Sequence, residues 1–135
     1  MQSDKMMKDI LTSAKTIASV GLSGNEAKVS HWIGDYLMKA GYHVIPVNPT
    51  ADEILGEKSY SDLESIPEKI DVVQVFRRSE DVPPIVEDAI RIGAKVVWMQ
   101  EGIVNEEAAQ RARETGLQFV MDTCMRVAHQ RLCKS

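Results

Sequence analysis

The chain has 135 residues, 44% of them hydrophobic and 27% charged, with a formal net charge of −4. A chain of this length buries roughly two-thirds of the surface its unfolded form exposes, so it can hold a core without metal or disulfide staples. The acidic balance argues against a general nucleic-acid or membrane surface, which needs a basic excess, and no apolar run approaches a transmembrane span. Only two cysteines occur, Cys124 and Cys133, and neither belongs to a metal-ligand spacing or a secreted-type disulfide framework. Residues 1–16 mix Lys and Asp with apolar side chains, so no signal peptide is expected. The expectation is a soluble, cytoplasmic protein with no nucleic-acid or membrane partner.

In chain order, Met7, Ile10, Leu11 and Ala14 mark an opening helix. A first strand follows over 16–20. Val29, Ile33, Leu37 and Ala40 recur at helical spacing, and Gly41 stops that helix. A second strand covers 43–47. Asp52 and Glu53 read as helix-opening acids, and Ser61 with Glu64 as a capping box for a short turn ending near Pro67. The third strand spans 70–76. Val82, Ile85, Ala89 and Ile92 give another helix before Gly93, with Pro83 and Pro84 tolerated in its first turn, where N–H groups have no intrahelical partner. A fourth strand runs over 95–99. Asn105 caps a helix reaching about Thr115, with Gly116 after it. A fifth strand at 117–121 and a last helix over 124–132 complete the pattern.

Four of the strands are rich in Val or Ile without strict polar alternation, as strands covered by helices on both faces are. Alternating strands and helices build right-handed βαβ units. The expected fold is therefore α/β: a Rossmann-like, doubly wound, parallel five-stranded sheet with helices on both faces, as one domain over 1–135. The expected strand order is 3-2-1-4-5, with a ligand crevice at the carboxyl ends of strands 1 and 4.

Four loops carry chemistry. After the first strand come Gly21, Leu22, Ser23, Asn25, Lys28, Ser30 and His31. Gly21 permits a sharp turn and close ligand approach, Ser23 and Asn25 supply side-chain donors, and the following helix presents free N–H groups to phosphate. Lys28 and His31 add charge or donors. Ser23 stands where a dinucleotide fingerprint has its second glycine, and no third small residue falls in place. The plain alternative is a structural turn with Ser30 as N-cap.

After the second strand, Val47, Asn48 and Pro49 stand where an NAD-binding unit carries an acid for the ribose. Two prolines, Pro46 and Pro49, stiffen a flat wall suited to adenine or ribose; the alternative is a rigid loop without ligand. After the third strand, Arg77 and Arg78 can hold phosphate bidentately and Phe76 can stack on a base. Against this, the arginines can simply answer Glu80 and Asp81. After the fourth, Gly102 allows close backbone approach while Gln100 and Glu101 offer polar groups. No nucleophile or second base stands near Glu101, and a helix-leading loop is the alternative. His43, His129, Cys124 and the Met6, Met7 pair read as structural.

Taken together, several runs resemble one family: Ile17-Ala18-Ser19-Val20-Gly21-Leu22-Ser23, Gly41-Tyr42-His43-Val44-Ile45-Pro46-Val47-Asn48-Pro49, Ile54-Leu55-Gly56-Glu57-Lys58, Asp71-Val72-Val73-Gln74-Val75-Phe76-Arg77-Arg78, Gly93-Ala94-Lys95 with Val97-Trp98, and Gly102-Ile103-Val104-Asn105-Glu106-Glu107-Ala108. They look like the small bacterial and archaeal stand-alone CoA-binding-domain proteins, over about residues 10–132. That family is similar to the N-terminal CoA-binding domain of the succinyl-CoA synthetase α subunit, and the Glu101-Gly102-Ile103 triplet matches that domain's Glu-Gly-Ile.

The resemblance implies a Rossmann-like fold holding coenzyme A or an acyl-CoA. It implies contacts from 21–23, from Val47 and Pro49, from Phe76 and Arg77, and from 100–102. The synthetase domain carries a lysine shortly after the proline matching Pro49; this chain has Thr50, Ala51 and Asp52 there. Phosphate charge then falls to Lys28, Arg77 or Arg78. The synthetase's phosphorylated-histidine segment has no counterpart in these residues, so binding is expected rather than catalysis. Two other readings stay open: an NAD(P)-binding oxidoreductase, and a nucleotide-sensing regulator acting on an unidentified protein partner.

Overall fold

A computed structural model describes residues 2–133; residues 1, 134 and 135 of the expected domain span lie outside them. The elements come in the expected alternation: α1 (Asp4–Ser13), β1 (Thr16–Val20), α2 (Val29–Lys39), β2 (His43–Val47), a small hairpin of β3 (Glu53–Ile54) and β4 (Glu57–Lys58), β5 (Val72–Val75), α3 (Val82–Ile92), β6 (Val96–Met99), α4 (Glu106–Glu114), β7 (Gln118–Val120) and α5 (Met125–Leu132). Pro83 and Pro84 fall in the first turn of α3, and Gly93 closes it in the left-handed conformation at φ 75°. Asn105 caps α4, its Oδ1 accepting from the Ala108 N–H at 2.9 Å. No helix among the described residues is long and apolar enough to cross a membrane.

Five strands form one parallel sheet in the order β2-β1-β5-β6-β7, which is the expected Rossmann-like α/β architecture. The strand order itself is a correction. Counted along the chain it is 2-1-3-4-5, because the third long strand, β5, lies beside β1 instead of beside β2. Two physical reasons account for this. The outer edge of β2 is already taken: Tyr60 bridges Val47, donates its N–H to the Pro46 carbonyl and accepts from the Asn48 N–H. Meanwhile Ser19 on β1 and Gln74 on β5, both fully buried, need partners and find each other. The Ser19 hydroxyl donates to Gln74 Oε1 at 2.9 Å. The Gln74 amide continues to Gln100 Oε1 at 3.1 Å, and that oxygen also accepts the Met125 N–H at 3.0 Å.

The start of β5 is tied to β1 in the same way. The Asp71 carboxylate accepts the N–H groups of Lys15 at 2.9 Å and Thr16 at 3.1 Å. The winding of the sheet therefore reverses between β1 and β5, and the crevice lies there, not between the first and fourth strands.

Side chains alternate to two apolar layers. One packs Ala18, Val20, Ile45, Val73, Val75 and Val97 with Val86, Ala89 and Ala109 of α3 and α4. The other packs Ile17, Val44, Val72 and Trp98 with α1, α2 and α5 through Ile10, Ile33, Leu37 and Met125. Both faces of the sheet are thus covered, as the apolar strand runs imply.

Three local expectations change. Glu53 opens no helix but sits in the β3–β4 hairpin. Asp62, not Ser61, caps the 3₁₀ turn at Leu63–Ser65, accepting from the Ser65 N–H. Lys28 is the N-cap of α2, and Ser30 is already helical.

Two stability tests follow from these bonds. Gln74→Leu leaves the buried Ser19 hydroxyl without its acceptor and should cost about 1–3 kcal/mol in urea denaturation at unchanged m; adding Ser19→Ala should recover part of that loss. Burial raises the Asp71 pKa, but the two backbone N–H bonds, helped by Lys95 and Lys69, outweigh it and hold the carboxyl below its ordinary value. A depressed folded pKa contributes stability that is present above the unfolded value and is lost as pH falls through the folded one. Asp71→Asn should therefore flatten the acid limb of a stability–pH curve below about pH 4.

Candidate functional site

The turn after β1 is built for close approach. Gly21 has φ 92°, a region L side chains rarely adopt, and a Cβ placed there would sit 3.1 Å from the Phe76 carbonyl oxygen. Its N–H donates to Val47 O, and the Phe76 N–H donates to Val20 O. The exits of β2, β1 and β5 are thereby drawn together. Asn48 stitches them further: its amide donates to Leu22 O at 3.0 Å, while its Oδ1 accepts from the Thr50 N–H and hydroxyl.

The rest of that first loop is held by its own polar groups. Ser30 Oγ accepts the Ser23 N–H, Ser23 Oγ accepts the Asn25 N–H, and Asn25 Oδ1 accepts the Ala27 N–H. His31 Nδ1 lies 2.9 Å from Ser23 O. The loop is pre-formed, and α2 begins behind it with no acidic residue in its first turn and no side-chain cap bond from Lys28. The positive end of that helix is left uncompensated by any acid of its own.

At the switch point lies a cleft of about 330 Å³ lined by Val20, Val47, Pro49, Asp62, Leu63, Arg77, Ile85 and neighbouring acids. Arg77 is exposed and makes no ion pair among the described residues. The acids around it are largely engaged: Asp81 with Arg78, Asp88 with Arg91, and Asp62 with Ser65. Arg78 is 79% exposed at its side chain and pairs with Glu80 and Asp81, so it behaves as a solvated surface cation.

The structure thus gathers Val47, Pro49 and Arg77 in one cleft. Gly21 and Phe76 lie at the adjoining strand exits, with Ser23, Asn25, Lys28 and Ser30 on the loop beyond. Leu22 turns its side chain into the core, where it is fully buried, and can offer a ligand backbone only. Gln100 is likewise buried and spends its Oε1 on Gln74 and Met125. Glu101 and Gly102 lie on the β6 exit, and Glu101 lines a separate trough with Asp122, Thr123, Cys124, Val127 and Arg131.

Asp122 is a residue that sequence reasoning missed. It sits at φ 52° and its Oδ1 accepts the Gly102 N–H at 2.6 Å, holding the Glu101-Gly102 turn against the β7 exit. The sequence signal for it was an acid directly after a strand, in register with the glycine loop of the strand before. Asp62 and Ile85, which line the Arg77 cleft, were also missed, being far from the strand ends in sequence.

Loops converging on the switch point of a parallel sheet are the ligand-binding arrangement of doubly wound α/β proteins. The sequence over residues 15–130 matches the CoA binding domain family, and the chain belongs to that family. It is 48% identical over 123 residues to the uncharacterized protein YneT of Bacillus subtilis, covering 91% of each chain. Among solved structures, a hypothetical protein from Pyrococcus horikoshii OT3 superposes with a TM-score of 0.94 at 42% identity, covering 97% of this chain and 92% of that one. An ADP-forming 4-hydroxybutyrate–CoA ligase of Nitrosopumilus maritimus is 28% identical over 129 residues; these cover 87% of this chain but only 18% of the ligase. The resemblance to the CoA-binding domain of the succinyl-CoA synthetase α subunit accords with these matches.

Gly21→Ala tests the strand-exit geometry. The strained backbone and the contact with Phe76 should cost about 1–3 kcal/mol in thermal or urea unfolding. A stability unchanged within error would show that the turn relaxes freely.

Proposed function

We propose that this protein binds coenzyme A at the switch point between β1 and β5, as a single cytoplasmic binding domain over 1–135 with no reaction of its own. Membership of the CoA binding domain family supports the choice of ligand. The observation that carries the location is the cleft in which Arg77, without an ion pair among the described residues, meets the apolar wall of Val47, Pro49 and Ile85. Such a wall suits the adenosine half, with Phe76 at its inner end. The phosphates then lie toward Arg77, Lys28 and the uncompensated start of α2, carried by the Gly21, Leu22 and Ser23 backbone. The pantetheine arm runs toward Gln100, Glu101 and Gly102, a side that bears the carboxylates of Glu101 and Asp122 and whose cation, Arg131, is already paired with Asp4. An acyl-CoA fits the same arrangement.

The NAD reading is weakened by Asn48. Its Oδ1 already accepts two bonds from Thr50, so it is not open to accept from a ribose hydroxyl as the acid of an NAD-binding unit does. A binding role is supported by the three histidines, each engaged away from a nucleophile: His31 with Ser23 O, His43 with Glu57 and Glu68, His129 with Tyr36. Both cysteines are free thiols, which suits the reducing cytoplasm.

Calorimetric titration with CoA, acetyl-CoA, NAD, NADP and ATP tests this directly. CoA should bind and NAD should not; NAD binding with no CoA binding would overturn the proposal. Arg77→Ala and Lys28→Ala should each weaken CoA by about 1.5 kcal/mol, roughly tenfold, while Arg78→Ala leaves affinity nearly unchanged. Unchanged affinity in both of the first two variants would move the phosphates elsewhere.

A further inference from the structure

Among the described residues, four large apolar side chains are exposed: Val29, Trp32, Val104 and Val127. Three of them line one groove of about 360 Å³ between the start of α2 and the start of α5. Val29 is 71% exposed, Trp32 63% and Val127 52%. Trp32 is held in place, its indole N–H donating to the Glu26 carbonyl at 2.5 Å. Apolar side chains scattered singly over a surface are ordinary, but a cluster centred on a fixed tryptophan marks an interaction surface.

The two walls of the groove differ in charge. The wall at the start of α2 carries Glu26, in the loop before the helix, and the α5 wall carries Arg126. Glu26 is exposed and forms no ion pair among the described residues. Arg126 also forms none, and its guanidinium lies 5.9 Å from the centre of the Tyr36 ring. A surface with an acidic wall, an apolar floor and a basic wall is complementary to itself: a twofold rotation sets each α2 wall against the other copy's α5 wall. We propose that this groove is a homodimer interface, in which two copies bury Val29, Trp32 and Val127 and pair Glu26 of each with Arg126 of the other.

The face is separate from the Arg77 cleft but borders the CoA reading above on two sides, through the 25–28 loop and through Cys124 and Val127, which also line the trough with Glu101. The mass of the chain reads the dimer without reference to the ligand, and the thermal transition provides the check that a variant is folded.

The test is sedimentation equilibrium of the full chain from low micromolar to submillimolar concentration. The mass should rise from the 15.0 kDa of one chain toward twice that value. Val127→Glu and Trp32→Glu should remain at the single-chain mass, and both should keep a single cooperative thermal transition. Glu26→Arg and Arg126→Glu should each weaken association, and the two together should restore it. A wild-type chain that stays at single-chain mass throughout overturns the proposal. So does association that survives both glutamate variants. A change in the ratio of acyl-CoA to CoA affinity in Val127→Glu, with no change in mass, would also overturn it by assigning the groove to a ligand arm.

Discussion

A buried line of hydrogen bonds crosses the middle of the sheet, from Ser19 on β1 through Gln74 on β5 to Gln100 after β6, and ends on the Met125 N–H at the start of α5. Each member lies where water does not reach, so each bond left unmade would carry a full desolvation penalty. That makes the line a register device. Only the order β1-β5-β6 lets all of its groups pair, and that order puts the reversal of winding beside Gly21. The same line seats α5 over the β6 exit, so the loop geometry on both sides of the crevice depends on it.

From there the site follows by proximity. Gly21 and Phe76 come as close as a missing Cβ allows, and Asn48 locks the β2 exit against the same turn. Lys28 and Arg77 form no ion pair among the described residues, while the trough at the β6 and β7 exits carries the carboxylates of Glu101 and Asp122 beside an Arg131 already paired with Asp4. This separation gives the crevice a polarity. An elongated ligand with phosphates at one end and a neutral arm at the other is matched by it in one direction only. The loops that define the polarity bond mainly to themselves and to the sheet, which lowers the ordering cost of binding.

The fold class was legible because Val- and Ile-rich runs, glycine stops, Pro83 with Pro84, and the Asn105 cap all act locally. Strand order was not, because it depends on which polar side chains meet across 55 residues of chain. Gln74 in an otherwise apolar strand was the available clue: a buried amide demands a neighbour that can pair with it. The β3–β4 hairpin escaped notice because two-residue strands leave no periodicity. At the candidate site, the sharp turn at Gly21 was legible because the backbone dictates glycine there. Side-chain direction was not legible in the same way: Leu22 turns inward and the hydrogen-bond line engages Gln100. Arg77 and Arg78 look alike in sequence and differ only in their neighbours, one at a cleft without an ion pair among the described residues and one answered by Glu80 and Asp81.

The central claim is that CoA occupies the carboxyl edge of the sheet around the β1–β5 reversal. Mapping amide chemical shifts of the isotopically labelled chain during a CoA titration tests it most directly. The account predicts perturbations concentrated at 21–28, 47–49, 76–77 and 100–102, with little change at the opposite edge around Asp71 and Lys95. Shifts centred on that opposite edge, or no shifts at saturating CoA, would contradict it.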